Sequence, residues 1–193
     1  MARIQYDVDM VGQQYSPVCW LACAAMVMQY KRRVTPSAEM LGQLADDFRT
    51  PGLTVPGEHA TASEKWQALR RMGFVVTRSS NIRDPRMLGM APPRPGTPVL
   101  RSSTPSEELV HWLLANHGPF VLNHMCGSFW YGPNWTMPIT GEHSVVITGI
   151  DTGTHTVYFN NPWGDRNVPT TTPSIVGAIT RYEAAGQPPF AYL

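Results

Sequence analysis

The sequence predicts an α+β fold, because helix-forming segments fill its first half and strand-forming segments fill its second half. Helical patterns cover about 17–32, 35–48, 61–72 and 104–118. Short runs of β-branched and aromatic residues, separated by turn residues, cover 119–123, 143–150 and 156–160. A length of 193 residues fits one domain. We therefore expect a single domain over 1–193, with a helical lobe over about 17–118 and a sheet lobe over about 119–193.

Two shorter strands and a surface segment complete this expectation. Residues 4–11 alternate loosely and 74–77 are rich in valine, so each predicts a short strand. Residues 79–103 are rich in proline and charge and predict a long surface excursion between the third and fourth helices.

Composition limits the class of protein and its partners. Apolar residues make up 42% of the chain and charged residues 15%, which is typical of a globular domain. A formal net charge of +1 favours neither a nucleic acid nor a membrane surface as partner. The apolar run 18–28 does not fit a secretory signal, because Asp7 and Asp9 precede it and the small-residue triplet 22–24 lies inside it. We expect a cytoplasmic protein without a cleavable signal, exported by a specialised secretion system if at all.

The helix predicted from residue 17 is the organising element of the chain. Ser16 and Pro17 fit its cap and first turn, and apolar residues occupy nearly every position through Met28. Such a helix is buried on most sides. Cys19 lies in its first turn, where the helix dipole favours a thiolate. We therefore expect a lowered thiol pKa at Cys19.

The three cysteines predict at least one free thiol, since an odd number in a chain of this length makes no disulfide framework. Cys23 lies one turn beyond Cys19 and fits the core. Cys126 beside His124 suggests a metal site with the other two cysteines, but the paired short spacings of structural zinc are absent. We expect no metal and no cofactor.

A base and an orienting group for Cys19 are found in the second half. His143 begins a strongly apolar strand, and the next strand ends at Asn160 and Asn161. The short connection 151–156 predicts antiparallel neighbours, so the start of one strand lies beside the end of the next. An asparagine oxygen there can accept a hydrogen bond from the imidazole and fix its tautomer.

These segments resemble the papain-like cysteine peptidases. Gln13 stands six positions before Cys19-Trp20, His143 opens the segment His-Ser-Val-Val-Ile-Thr-Gly, and Asn161 opens Asn-Pro-Trp-Gly. The chain is most similar to compact bacterial effector proteases and to leader-cleaving peptidases of peptide exporters. The resemblance implies a two-lobe fold with Cys19 as nucleophile, His143 as base, Asn161 as orienting residue and Gln13 in the oxyanion hole. Of the two asparagines, Asn161 occupies the family position.

The resemblance also implies a setting and partners. It suggests a bacterial effector or toxin that cleaves a protein or peptide substrate, with an immunity or inhibitor protein as a further partner. Trp130, Trp135 and Trp163 are candidates for the substrate cleft, and burial of these aromatic side chains as structural anchors is the alternative. In the family, a tryptophan at the position of Trp163 shields the histidine–asparagine hydrogen bond.

Two other functions fit the same residues. An amidase or acyltransferase would use the same thioester with another acceptor. A binding protein on an inactivated papain-like fold would carry the same residues without an activated thiol.

Overall fold

The computed structural model describes residues 2–12, 19–32, 61–88, 90, 98–133 and 141–193. The predicted helix over 35–48 lies outside these ranges, as do Gln13, Trp135 and the predicted cap Ser16-Pro17.

The described part of the chain contains four α-helices. Three of them were predicted, and their ends lie close to the predicted limits. They are α1 (Cys19–Arg32), α2 (Ala62–Arg71), α3 (Glu107–His117) and α4 (Thr172–Ala184). A capping box between Thr61 and Glu64 starts α2, and the Ser106 hydroxyl accepts from the Leu109 N–H at the start of α3. Gly118 ends α3 with a φ of 70°, a conformation that glycine adopts without strain.

The strands form one antiparallel sheet, in which the order of the strands differs from their order in the chain. They are β1 (Arg3–Gln5), β2 (Val75–Thr77), β3 (Phe120–Met125), β4 (Glu142–Asp151), β5 (Thr156–Asn161), β6 (Asp165–Thr171) and β7 (Phe190–Tyr192). Six of them follow the order β2-β7-β3-β4-β5-β6, and β1 pairs with the C-terminal end of β4. Every described pairing is antiparallel. The predicted α+β class is confirmed.

The sheet is buried on both faces, which explains the continuous apolar run of β4. Val121 and Val146 pack with α1 and α2 in one cluster. Leu122, Val145 and Ile147 pack with α3 and the first turns of α4 in the other. Since side chains alternate along a strand, β4 is apolar at both odd and even positions between its ends.

Several features differ from the prediction. The N-terminal strand is only three residues long, and the second half contributes α4, β6 and β7, which were not predicted. The strands β1 and β2 join the sheet from the first half of the chain. The single domain with lobes over about 17–118 and 119–193 stays a prediction.

The segment predicted as a surface excursion is anchored where the structure describes it. The Asp84 carboxylate is fully buried, and its oxygens accept from the Arg86 guanidinium and the Leu100 N–H. Arg86 lowers the pKa of Asp84 well below its usual range. Ile82 and Leu100 pack into the core cluster beside it. Among the described residues, no helix has the length and apolar character needed to cross a membrane.

Candidate active site

The Cys19 thiol lies at the beginning of α1 and is 7% exposed. Hydrogen bonds join it to the backbone and side chain of Ser144 on β4 and to the backbone of Trp20. The Ser144 hydroxyl donates in turn to Asn123 Oδ1 at 2.6 Å. The helix that carries the thiol is thereby tied to the central strands β3 and β4.

Burial raises the pKa of the Cys19 thiol, contrary to our expectation of a lowered value. The Lys65 ammonium and the hydrogen bonds from Ser144 and Trp20 act in the opposite direction but are smaller effects. Removal of water penalises the thiolate more than these groups stabilise it. In this structure Cys19 is a neutral thiol at pH 7.

His143 is the second residue of β4 and is buried. Its ring packs edge-on against the rings of His124 and Tyr131, with centroid distances of 5.8 and 5.3 Å. Burial and the neighbouring His124 lower the pKa of His143 to about 3, and the hydrogen bond to Asn161 only partly offsets this. The imidazole is therefore neutral at pH 7.

Asn161, the last residue of β5, orients this imidazole. Its Oδ1 lies 3.0 Å from His143 Nε2. Its Nδ2 donates to the Tyr131 carbonyl at 2.8 Å and lies 3.5 Å from Asp165 Oδ2. Since two acceptors face Nδ2, the amide oxygen must face the imidazole. Nε2 of the neutral ring therefore carries the proton, and Nδ1 keeps its lone pair.

Asn160 has a different environment. Its Nδ2 donates to the Val8 carbonyl and its Oδ1 accepts from the Asn167 N–H, both at 2.9 Å. These bonds connect β5 to the N-terminal segment and to β6. The structure thus brings Asn161, and not Asn160, to His143.

Cys19 contacts β4 at Ser144, the residue that directly follows His143. Cys19 hydrogen-bonds to Ser144, and His143 hydrogen-bonds to Asn161. The resemblance to papain-like peptidases predicts transfer of the thiol proton to His143. That transfer stays a prediction.

The other candidate residues are dispersed. Trp130 is 61% exposed, and Trp163 is half-buried, with its backbone N–H donating to Asn161 Oδ1 at 3.4 Å. Cys23 is buried in the core cluster of α1, and Cys126 is partly exposed. Gln13 and Trp135 lie outside the described residues. Within those residues, no group of three or more His, Cys, Asp or Glu side chains could hold a metal ion.

Three neighbours of the site were not predicted from the sequence. Ser144 follows His143 directly, and the antiparallel register that pairs β3 with β4 places His124 opposite His143. Lys65 reaches the site from α2 and lies 3.1 Å from Glu142. Alternation along β4 places Ser144 on the same face as Val146, which packs with α1, but no pattern in the sequence linked α2 to this strand.

Comparison with known proteins identifies the family. Residues 5–189 match the model of a family described as the Peptidase_C39 like family. The chain belongs to this family. It is a cysteine-type peptidase, as the papain-like resemblance implied.

Comparison of structures gives a distant likeness. A double glycine motif protease from an AMS/PCAT transporter, solved in complex with the leader peptide, is 17% identical, with a TM-score of 0.46. The alignment covers 90% of this chain and 86% of that chain. No curated protein sequence matches this chain.

Proposed function

We propose that this peptidase hydrolyses a peptide bond of a protein or peptide substrate through Cys19, His143 and Asn161. The observation that supports the proposal most is the buried hydrogen bond of 3.0 Å between His143 Nε2 and Asn161 Oδ1. It holds the ring in the tautomer whose Nδ1 can accept a proton. A base oriented by a third group is the arrangement that a thiol nucleophile needs.

The reaction begins with attack of Cys19 Sγ on the carbonyl carbon of the substrate. Because thiol and imidazole are both neutral in this structure, His143 takes the thiol proton during the attack, as a general base. The Cys19 backbone N–H and the Gln13 amide donate to the oxyanion. His143 then gives the proton to the leaving amine, and a thioester remains on Cys19.

Water completes the cycle. His143 removes a proton from the attacking water, the thioester bond breaks, and the second product leaves as a carboxylic acid. The thiol regains its proton from His143. No cofactor takes part in these steps.

We expect the substrate to be an extended peptide and the exposed side chain of Trp130 to contribute to its binding. Trp130 is 61% exposed, and its indole offers a large apolar surface with a polar N–H to a peptide. We expect Trp130→Ala to raise KM with little change in kcat. An equal loss of kcat and kcat/KM would mean that Trp130 interacts with the transition state and not with the bound substrate.

The biological setting follows from the resemblance to bacterial effector proteases. We propose an effector or toxin that acts inside a target cell and is countered by an immunity protein in its producer. Expression in a candidate target bacterium tests this setting, with Cys19→Ala as the matched control. Growth inhibition by wild type alone supports a toxin, and equal growth of both strains contradicts it.

Cleavage of a peptide library, followed by mass spectrometry, tests the activity. Peptides derived from a bacterial proteome, with leader peptides of exported peptides added, are incubated with wild type or Cys19→Ala in water enriched in ¹⁸O. Products that carry ¹⁸O at new C-termini with wild type alone establish hydrolysis. Products joined to an added amine would indicate acyl transfer, and no products from either protein would contradict the proposal.

A further inference from the structure

The third member of the proposed triad, Asn161, brings no charge to His143. His143 is 3% exposed and neutral at rest, because burial lowers the pKa of its imidazole to about 3. The ring becomes positive when it holds the thiol proton, and a buried charge without a counter-charge is strongly unfavourable. In a triad whose third member is an aspartate, a buried carboxylate stabilises the imidazolium. The positive charge on His143 needs a comparable group.

The Asn161 side chain connects His143 to a carboxylate. Its Oδ1 lies 3.0 Å from His143 Nε2, and its Nδ2 lies 3.5 Å from Asp165 Oδ2. The same Nδ2 donates its other proton to the Tyr131 carbonyl at 2.8 Å. A single amide group therefore separates the imidazole from the Asp165 carboxylate, and its dipole points in the direction that both charges favour.

The fold holds Asp165 in this position and keeps water away from it. Asp165 begins β6, pairs with Asn161 across the turn from β5, and is 5% exposed. A Cβ added to Gly132 would lie 2.4 Å from Asp165 Cγ and 2.7 Å from Oδ2, the oxygen that faces Asn161. The backbone that follows Tyr131 thus closes over the carboxylate. Water screens a charge in such a place only weakly.

Two other titratable groups lie next to His143, and neither supplies the negative charge. Glu142 precedes it in β4, but its carboxylate lies 3.1 Å from the Lys65 ammonium, which offsets its charge. His124 lies opposite His143 on β3 and is neutral at pH 7, because burial lowers its pKa to about 4. The Asp165 carboxylate is the one that contacts the residue orienting the imidazole.

We propose that Asp165 stabilises, through Asn161, the positive charge that His143 carries while it holds the thiol proton. The inference rests on the proposed function, since it concerns the base of that reaction. Because His143 is neutral at rest, the stabilisation falls on the transition state and should appear in kcat and not in KM. Asp165 acts through Asn161 and is therefore a positioning residue, not a catalytic one.

The test measures how fast p-nitrophenyl acetate forms an acetyl thioester at Cys19, by mass spectrometry of the peptide that carries it. Asp165→Asn keeps the size of the side chain and removes its charge. The rate should fall about 10-fold, as expected for two charges roughly 9 Å apart in a protein. Adding Asn161→Asp to Asp165→Asn should restore the rate, because the carboxylate then accepts directly from His143 Nε2. Asp7→Asn, at a side chain that is 88% exposed, is the matched control and should leave the rate unchanged.

Nuclear magnetic resonance of ¹⁵N-labelled histidine separates the effect of charge from the effect of orientation. The Tyr131 carbonyl still holds the Asn161 amide in Asp165→Asn, so His143 should keep its proton on Nε2 at neutral pH. Loss of that tautomer would show that Asp165 only orients the amide, and would overturn the inference.

The acetylation rates decide the remaining outcomes. An unchanged rate in Asp165→Asn, or a slow rate that Asn161→Asp does not restore, would overturn the role of the charge while wild type still forms the thioester. Absence of a thioester at Cys19 in wild type would instead contradict the proposed function itself, and the inference with it.

Discussion

The Nε2 atom of His143 lies 3.0 Å from Oδ1 of Asn161, although the two residues are 18 positions apart in the chain. The antiparallel pairing of β4 with β5 brings them together, and the Tyr131 carbonyl and Asp165 carboxylate fix the direction of the asparagine amide. His143 is thereby a neutral imidazole with its proton on Nε2.

Asn161→Ala should lower kcat by about 100-fold, within the range attributed to general acid–base catalysis, because the imidazole loses the acceptor that selects its tautomer. Asn161→Asp should retain most of the activity, since a carboxylate also accepts from Nε2. Steady-state kinetics on a cleaved library peptide measures both. Equal losses in the two variants would mean that the acceptor is not what matters.

Asn160→Ala is the matched control for that experiment. It removes two buried hydrogen bonds, to the Val8 carbonyl and from the Asn167 N–H, and should cost about 1–3 kcal/mol of unfolding free energy. The kcat of the folded protein should stay near the wild-type value. A large loss of kcat with unchanged urea stability would show that Asn160 is the orienting residue.

Acid should destabilise the protein through its buried histidines. The pKa of His143 is about 3 and that of His124 about 4 in the folded chain, against about 6.5 in the unfolded chain. Below pH 6.5 the unfolded state therefore binds more protons, so stability is fully present above that pH and falls as pH falls. Each histidine contributes about 1.4 kcal/mol per pH unit in this window.

Urea denaturation at pH 7.5, 6 and 5 measures this dependence. His124→Phe should make it shallower, because His124 lies among aromatic rings and its Nε2 has no hydrogen-bond partner in the described part of the chain. The partly buried His111, whose pKa is also lowered by burial, remains in both proteins. A dependence on pH that is unchanged in His124→Phe would show that His124 does not resist protonation.

Asp84→Ala should destabilise the protein by about 1–3 kcal/mol, because it leaves the buried Leu100 N–H without its acceptor and the Arg86 guanidinium without its carboxylate. The matched control is Arg166→Met, at an ion pair with Asp7 whose side chains are 41% and 88% exposed. That change should cost less than about 1 kcal/mol. Similar losses in the two variants, by urea denaturation, would contradict the anchoring role of Asp84.

Alanine variants of two glycines, Gly132 and Gly141, distinguish the effect of crowding at the site from the effect of backbone strain. A Cβ added to Gly132 would lie 2.4 Å from Asp165 Cγ, whereas one added to Gly141 would meet nothing within 4 Å. Both have positive φ, 108° and 94°, so both alanine variants lose about 1–3 kcal/mol. Gly132→Ala should lose about 1–3 kcal/mol more. It should also lower kcat, because Asp165 and the Tyr131 carbonyl hold Asn161. Equal effects in both variants would exclude crowding.

Local patterns predicted the elements that carry the site. The apolar helix from Cys19 to Arg32 follows from its composition, and the meeting of His143 with the end of β5 follows from a short turn between two strands. Both depend on residues close in sequence. The start of α4 also has a local signal, since Thr171 forms its N-terminal cap and Pro173 lies in its first turn.

Non-local packing produced what the sequence did not predict. The pairing of β7 with β3 joins residues about 70 positions apart, and the Lys65–Glu142 salt bridge joins residues 77 positions apart. The raised pKa of Cys19 arises from burial by the whole fold, which outweighs the helix end that the sequence revealed. A local pattern gives the position of a thiol in a helix but not the amount of water that reaches it.

Acylation by p-nitrophenyl acetate, followed by mass spectrometry, tests most directly whether Cys19 is the nucleophile and His143 its base. The reagent needs no knowledge of the substrate and forms a thioester that neutral hydroxylamine removes. One hydroxylamine-sensitive acetyl group should form on wild type, Cys23→Ala and Cys126→Ala. Cys19→Ala should gain no such group. His143→Ala should gain one, but its formation should be about 100-fold slower. An equally fast acetyl thioester in Cys19→Ala, or an unchanged rate in His143→Ala, would contradict the account.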